Sequence, residues 1–178
     1  MDHCEPVDAL AQQVTVGSGV TLADAQSHVS SLNLEIGVDL AARDSCTIGG
    51  MIATNAGGIN VVRYGPMRDQ ILGIEAVLSD GSIISHLEGL EKDNTGYNFP
   101  GLLAGSEGTL AIITKARLRL HPRLSERCSA MIAFRTVDDA VVATSQLRGA
   151  LPTLQAVEVI FSEAMSLVSD HIGASVPV

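Results

Sequence analysis

Small residues crowd one stretch of the chain, residues 45–58, which reads Ser-Cys-Thr-Ile-Gly-Gly-Met-Ile-Ala-Thr-Asn-Ala-Gly-Gly. Glycine pairs lack the Cβ atoms that keep a backbone away from a bulky ligand. Thr47 is suited to cap a short helix whose free N–H groups would face an anion. This first glycine-rich segment therefore suits a pyrophosphate joined to a flat ring. Paired glycines also serve tight loops and close helix packing, and composition alone leaves both interpretations open.

A second glycine-rich segment, residues 103–110, reads Leu-Ala-Gly-Ser-Glu-Gly-Thr-Leu and follows a polar loop at residues 88–98. Lys92, Asn94 and Tyr97 in that loop could face a substrate, but the polarity of the loop favours a solvated surface. No side chain is assigned as a catalytic base. The chain thus offers residues for binding a ligand, and we predict no catalytic residue in it.

The turn at residues 17–19, Gly-Ser-Gly, superficially resembles a dinucleotide-binding turn. Leu22 stands where the third glycine of G-x-G-x-x-G would be needed, and no parallel strand follows to carry the acidic residue. A plain turn between a strand and a helix is the favoured interpretation.

Metal and thiol chemistry receive little support. The five histidines show neither His-x-His nor His-x-x-x-His spacing, so no metal site is predicted. The three cysteines form no C-x-x-C pair, which argues against a disulfide framework or a zinc ribbon. Cys46 is interpreted as a small buried residue beside a cofactor rather than as a reactive thiol.

Composition excludes several classes of function. The net charge of −9, without a Lys/Arg cluster, would repel phosphate backbones, so nucleic acid is not an expected partner. Hydrophobic residues make up 46% of the chain, yet no apolar run approaches the roughly 18 residues that a transmembrane helix needs. The stretch after Met1 is acidic and polar and lacks the features of a signal peptide. A cytoplasmic location is therefore expected.

The elements that would position the glycine-rich segments follow from local patterns. Alternating residues predict a strand within 13–20, and a capping box at Thr21 and Asp24 predicts a helix reaching about Asn33. The face of that helix would comprise Leu22, Ala25, Val29 and Leu32. A hairpin is predicted over residues 71–85, because Asp-Gly at its centre suits a turn with positive φ. A strand over residues 111–120 completes an α+β pattern that lacks βαβ alternation.

The remaining residues predict the start of a different layer. Strands are expected at residues 129–134 and 155–160, with helices after each. Thr136 caps the first of these helices, which ends near Gly149. Ser162 is expected to cap the second, with Gly173 as its C-terminal stop. This β-α-β-α run is half of an α/β sandwich, so the chain is expected to be truncated there.

Several separated motifs together resemble a known family. They are the Ser-Cys-Thr-Ile-Gly-Gly and Ala-Thr-Asn-Ala-Gly-Gly runs, Arg63-Tyr64-Gly65, Asn94-Thr95-Gly96-Tyr97 and the second glycine-rich segment. In this order they resemble the FAD-linked oxidases of the vanillyl-alcohol oxidase (p-cresol methylhydroxylase, PCMH) superfamily. The similarity is strongest to the branch of D-lactate dehydrogenase, glycolate oxidase and D-2-hydroxyglutarate dehydrogenase.

The resemblance implies an α+β fold: the second FAD-binding subdomain of the PCMH-type flavin fold, mainly an antiparallel sheet with flanking helices. It assigns residues 1–124 to that subdomain and residues 125–178 to the beginning of the α/β substrate or cap domain. It implies FAD as cofactor. The residues carried over as FAD contacts are Asp39, Ser45, Cys46, Thr47, Gly49, Gly50, Thr54, Asn55, Gly57, Gly58, Glu107, Gly108 and Ile113.

Departures from the family pattern limit what the chain is expected to do alone. Only twelve residues precede the strand at Gln13, so the family's glycine-rich pyrophosphate loop is missing. The downstream His-x-His and Gly-Asp-Gly-Asn elements are missing too. Met51 stands where relatives often have asparagine, and Pro100 where lysine is common. FAD binding by this chain is therefore expected to be weak or absent.

Two functions remain open from the sequence. The first is an FAD-binding fragment of a flavin-dependent dehydrogenase that oxidises a D-2-hydroxy acid, of the lactate, glycolate or 2-hydroxyglutarate type, to the 2-oxo acid. The alternative is a non-catalytic remnant or interaction module that kept the fold without the cofactor. Neither the substrate nor the oligomeric state is fixed, and a homodimer is left open.

Overall fold

The computed structural model of the chain describes residues 1–175. The chain forms two compact units, Met1–Arg123 and Leu124–Val178, and the last three residues of the second unit lie outside the described residues. The functional assignment of residues 1–124 and 125–178 to an FAD-binding subdomain and a cap domain stays a prediction.

The first unit is built on a five-stranded antiparallel sheet with the order β1-β5-β3-β4, in which β2 also pairs with β5. The strands are β1 Gln13–Gly17, β2 Leu34–Ile36, β3 Ile71–Leu78, β4 Ile83–His86 and β5 Ala111–Pro122. All pairings are antiparallel, as the predicted α+β class requires.

Strand β5 is the centre of this sheet because its twelve residues pair with three other strands. Ala111 and Ile113 are buried, and burial then resumes at Ala116. The change of phase coincides with a register shift: Glu75 pairs with Lys115, whereas the next residue of β3 pairs with Ile113. A bulge of this kind shifts the alternation by one residue, so odd-numbered residues of β5 face the core before it and even-numbered residues after it.

Five helices flank the sheet in the first unit: α1 Leu22–Ser30, α2 Ile48–Ala53, α3 Val61–Tyr64, α4 Met67–Gln70 and α5 Phe99–Leu103. Helices α1 and α2 each bury three residues in the aliphatic core. No helix among residues 1–175 is both long and apolar enough to cross a membrane.

The predicted start of α1 is confirmed and its predicted end is wrong. The Thr21 hydroxyl accepts a hydrogen bond from the Asp24 backbone N–H at 3.1 Å. The helix ends at Ser30 because the chain turns into the left-handed region at Asn33, where φ is 56°. Leu32 consequently leaves the buried face and is 49% exposed.

The predicted hairpin is confirmed by the pairing of β3 with β4. Its turn is closed by the Leu78 N–H, which donates to the Ser82 carbonyl at 2.9 Å. Gly81 adopts a φ of 84°, as the Asp-Gly pattern predicts, whereas Asp80 stays at negative φ.

The second unit contains α6 Val137–Ala150 and α7 Ser162–Ile172. The strands predicted at residues 129–134 and 155–160 are wrong, because neither segment joins a β-ladder within the described residues. The Thr136 cap and the left-handed Gly173 stop are confirmed. The Ser162 cap is wrong, since its hydroxyl donates to the Glu163 carboxylate at 3.2 Å and Phe161 occupies the cap position.

Candidate cofactor site

The first glycine-rich segment forms helix α2, and Thr47 caps it as predicted. The Thr47 hydroxyl accepts from the Gly50 N–H at 3.2 Å. The two preceding amides are also engaged: Ile48 N–H donates to the Val20 carbonyl at 2.9 Å and Gly49 N–H to the Ser18 carbonyl at 2.8 Å. The expected anion-binding helix end is therefore wrong, because all three first-turn N–H groups already have protein acceptors.

Gly49 packs against the turn at residues 17–19. A Cβ at Gly49 would lie 2.7 Å from Ser18 Cβ, closer than side-chain carbons approach one another. Ser18 thus supports α2 through both its carbonyl and its side chain. The sequence did not single Ser18 out, since its contact partner lies far along the chain.

Gly58 is fixed by the backbone of Asp39. Its φ is 73°, and a Cβ there would overlap the Asp39 carbonyl oxygen. The neighbouring Ile59 N–H donates to that same oxygen at 3.0 Å. Asp39 itself pairs with Arg43 through Oδ2 at 2.5 Å, while its Oδ1 is buried with no hydrogen-bond partner among the described residues. The Asp39 backbone therefore fixes the position of Gly58, and the Oδ1 atom of its carboxylate remains without a hydrogen-bond partner among the described residues.

The two glycine-rich segments, separate in sequence, meet at the C-terminal end of α2. Gly105 N–H donates to the Ile52 carbonyl, and Glu107 N–H donates to the Ala53 carbonyl, each at 2.9 Å. The Ala53 carbonyl at the helix end is satisfied in this way, and the Ile52 carbonyl, which also accepts from the Asn55 N–H at 3.0 Å, gains a further donor. Glu107 needs a left-handed backbone for this, with φ of 50°. Together the two segments form a continuous surface, which we call the glycine wall (residues 45–58 and 103–110).

The glycine wall carries amides that remain available to a ligand. The N–H groups of Gly57, Gly58 and Gly108 have no hydrogen-bond partner within the described part of the chain. A Cβ at Gly108 would meet nothing within 4 Å, and one at Gly50 would meet only Thr47 Oγ1, at 3.2 Å. The wall therefore offers free donors at Gly57, Gly58 and Gly108, and open approach at Gly50 and Gly108.

Several predicted contact residues are accessible on this surface. Ser45, Gly50, Thr54, Glu107 and Gly108 are exposed. Half-buried positions are Asp39, Cys46, Thr47, Gly49, Asn55, Gly57 and Gly58. The hydroxyls of Ser45 and Thr54 donate to backbone carbonyls of their own loop and helix.

Ile113 differs from the other predicted contacts. Its side chain is buried in the aliphatic core, with 8% exposed. A cofactor could therefore reach only the backbone of Ile113, and its side chain serves the packing of β5.

The polar loop before α5 lies open to solvent. Lys92 and Asn94 are exposed, and Tyr97 is 82% exposed with an edge contact to Phe99 at 6.4 Å. A shallow cavity of about 160 Å³ lies elsewhere, between the N-terminal segment and the sheet, and is lined by Met1, His3, Glu5, Thr15, Gly17, Glu75, Thr114 and Lys115. Pockets for drug-sized ligands are roughly 300–1,000 Å³. That cavity is too small for a dinucleotide, so the glycine wall is the better candidate.

A cluster of polar side chains joins β2, α3 and β5. Tyr64 donates to Glu35 at 3.1 Å and stacks on His121 with ring centres 4.2 Å apart. Burial, followed by the Glu35 carboxylate, raises the pKa of Tyr64. Burial lowers the pKa of His121, and the nearby charges of Arg119 and Arg63 act in the same direction. No group of three metal-ligating side chains occurs in residues 1–175.

Comparison with known proteins relates the first half of the chain to flavoproteins. Residues 1–86 match the FAD binding domain family. The mitochondrial D-2-hydroxyglutarate dehydrogenase of Bos taurus is 39% identical over 162 residues, which cover 90% of this chain and 30% of that enzyme. The D-lactate dehydrogenase of Archaeoglobus fulgidus is 43% identical over 135 residues, which cover 76% of this chain and 30% of that enzyme.

A solved structure of alkyldihydroxyacetonephosphate synthase superimposes on 84% of this chain and 27% of that protein, with a TM-score of 0.66. At 24% sequence identity this likeness shows the fold alone. The fold is the α+β arrangement expected from the sequence, with an antiparallel sheet and flanking helices.

The chain spans about a third of the length of the curated relatives it matches. The expected cytoplasmic location is wrong, because relatives from Bos taurus and Rattus norvegicus are mitochondrial enzymes. The acidic stretch after Met1 was a poor guide to location, since so much of each relative has no counterpart in this chain.

Proposed function

We propose that this chain forms one wall of the FAD site of a D-2-hydroxy acid dehydrogenase, because residues 1–86 match the FAD binding domain family and relatives that cover most of the chain include D-2-hydroxyglutarate and D-lactate dehydrogenases. The enzyme would oxidise a D-2-hydroxy acid, of the lactate, glycolate or 2-hydroxyglutarate type, to the 2-oxo acid. Residues 1–124 would be the second FAD-binding subdomain, and residues 125–178 the beginning of the cap domain.

The observation that carries this proposal is the joining of the two glycine-rich segments. Gly105 and Glu107 donate to the C-terminal carbonyls of α2, which aligns the segments into one surface. That surface leaves the amides of Gly57, Gly58 and Gly108 without protein acceptors in the described residues. Glycine amides are not shielded by a side chain of their own, so they can donate hydrogen bonds to the carbonyl oxygens of a flat ring system that lies close to the backbone.

The glycine wall suits the ring of FAD and does not suit its pyrophosphate. The first-turn amides of α2 are engaged by Val20, Ser18 and Thr47, so they cannot hold a pyrophosphate. The free amides and the open faces of Gly50 and Gly108 suit the ring and its sugar-like chain better. Donors for the pyrophosphate would come from residues outside this chain.

The roles of the predicted contacts can be divided by exposure. Direct contact is proposed for Ser45, Cys46, Thr47, Gly50, Thr54, Asn55, Gly57, Gly58, Glu107 and Gly108, all exposed or half-buried. Asp39 and Gly49 would act mainly by shaping the wall, and Ile113 only through its backbone.

FAD, when bound, would supply the hydride-accepting chemistry at Cα of the substrate. This chain would hold and orient the cofactor and exclude water from one of its faces. The base that removes the hydroxyl proton is expected from outside the chain. A non-catalytic remnant is less well supported, because the relatives that cover most of this chain are dehydrogenases.

The proposal is tested with the full-length protein that contains this chain. The purified protein should show flavin absorption bands, and these should bleach without oxygen on addition of D-lactate, D-2-hydroxyglutarate or glycolate. L-Lactate serves as the enantiomeric control for D-lactate. A colourless full-length protein that takes up no added FAD would contradict the proposal.

A further inference from the structure

One arginine contacts both segments of the glycine wall. Arg68 is the second residue of α4 and is exposed. Its backbone N–H donates to Asn55 Oδ1 at 2.9 Å, at the end of the first segment. Its guanidinium Nη2 donates to the carbonyl of Ala104 at 2.6 Å, at the start of the second. Within residues 1–175, no carboxylate forms an ion pair with this guanidinium.

Both acceptors of Arg68 lie where the backbone of the glycine wall changes direction. Asn55 adopts a left-handed backbone, with φ of 50°, shortly before the free amides of Gly57 and Gly58. Ala104 is buried and directly precedes Gly105, whose φ is 85° and whose N–H donates to the Ile52 carbonyl. A shift at either residue would therefore move the donors that follow it.

The anchoring of α4 makes Arg68 a rigid link. The preceding Met67 is fully buried, and its N–H donates to the Ala56 carbonyl at 2.8 Å. Since the backbone of α4 is fixed to residues 55 and 56, the guanidinium is the part of Arg68 that extends to the second segment. A charged donor on a neutral carbonyl forms a stronger hydrogen bond than a neutral donor does.

We infer that Arg68 is a positioning residue of the cofactor site, whose guanidinium holds the second glycine-rich segment in register with the first. This inference rests on the proposed function for its effect on FAD. It assigns no contact between Arg68 and substrate. The residue acts through Ala104 on the amides of residues 105–108.

The first experiment is hydrogen exchange on the 178-residue chain without FAD. Arg68→Ala should speed exchange of the Gly105 and Glu107 amides by about tenfold or more, because a charged hydrogen bond that fixes their loop is lost. Arg68→Lys should restore part of the protection. Arg148→Ala, an exposed arginine of α6, is the matched control and should leave both amides unchanged. Unchanged exchange in Arg68→Ala would overturn the inference.

The second experiment measures FAD affinity in the full-length protein. Arg68→Ala should raise the Kd for FAD by about tenfold, and Arg68→Lys should raise it less. Wild-type affinity in Arg68→Ala would show that the link is structural only and would overturn the positioning role. If the wild-type protein binds no FAD, the proposed function fails, and the exchange experiment still decides whether Arg68 joins the two segments.

Discussion

Two glycines of the cofactor wall share a left-handed backbone and differ in their surroundings. Gly58 and Gly108 have φ of 73° and 76°. A Cβ at Gly58 would overlap the Asp39 backbone, whereas one at Gly108 would meet nothing within 4 Å. The sequence predicted both as cofactor contacts and could not separate them, because the Asp39 carbonyl is brought to Gly58 by the tertiary fold.

These glycines allow backbone strain to be separated from steric overlap. Gly108→Ala should lower the free energy of unfolding by about 1 kcal/mol, the cost of a left-handed alanine. Gly58→Ala should lower it by clearly more, since the Asp39 carbonyl must also move. Urea unfolding of the two variants measures the difference. Equal losses would contradict the close packing of Gly58 on Asp39.

His121 predicts a pH dependence for the first unit. Burial lowers its pKa from the ordinary value of 6.5, so the unfolded chain takes up a proton at a higher pH than the native one. Stability should therefore fall as pH drops below 6.5 and level off once the native imidazole is also protonated. The His121 Nε2 lies 2.9 Å from Gln70 Oε1, and the other groups around the ring are Glu35, Tyr64, Arg63 and Arg119.

Thermal unfolding between pH 5 and pH 8 would measure this effect. His121→Gln should flatten the part of the profile just below pH 6.5. A profile in which His121→Gln retains the full acid-side slope would show that another group is responsible.

At the scale of elements, the successes and failures of sequence reasoning have a common cause. Caps and turns such as Thr21, Thr47, Thr136 and the Asp80-Gly81 turn were predictable, because their hydrogen bonds close within three or four residues. Strand β2 was missed, because three residues carry too little pattern and its partner β5 lies far along the chain. Segments 129–134 and 155–160 have strand-like composition and no ladder among the described residues.

The Thr47 cap gives a test at this scale. Thr47→Ala removes the acceptor of the Gly50 N–H and should lower the free energy of unfolding of the first unit by about 1 kcal/mol. Thr47→Ser keeps the hydroxyl and should recover most of that loss. Chemical denaturation followed by circular dichroism measures both. If serine were as destabilising as alanine, the hydroxyl would not be the cause.

At the scale of the whole molecule, the fold class and cofactor family were predictable and the location was not. FAD was implied by the resemblance that several separated motifs carry in the family's order, whereas the glycine pairs alone left tight loops and close helix packing equally open. The order of strands in the sheet depends on pairings such as Gln13 with Arg119, which no local pattern encodes. The location was predicted wrongly from the few residues after Met1, in a chain that spans about a third of its relatives.

The wall itself was only partly predictable from the sequence. The two segments were predicted to lie near one cofactor, and the structure brings them into contact through Gly105 and Glu107. The sequence placed the anion donors at the α2 N-terminus, where Ser18 and Val20 occupy them instead. Those acceptors come from the turn before α1, so their proximity required the folded chain.

The glycine wall is proposed to lie against FAD. Gly50→Leu tests it, because Gly50 is exposed and a Cβ there would meet only Thr47 Oγ1. A Cβ there would lie 3.2 Å from the Thr47 oxygen, so that hydroxyl must shift slightly, and the added side chain should obstruct the space that the cofactor would occupy.

The decisive measurement is FAD titration of the full-length wild type and Gly50→Leu, followed by flavin fluorescence at matched thermal stability. The isolated 178-residue chain, which supplies only one wall of the proposed site, is included and should bind FAD weakly or not at all. The full-length wild type should bind FAD tightly, and Gly50→Leu should raise the Kd by about a hundredfold or more, as expected when a buried contact surface is blocked. Equal affinity of the two full-length proteins would show that FAD does not lie against the wall.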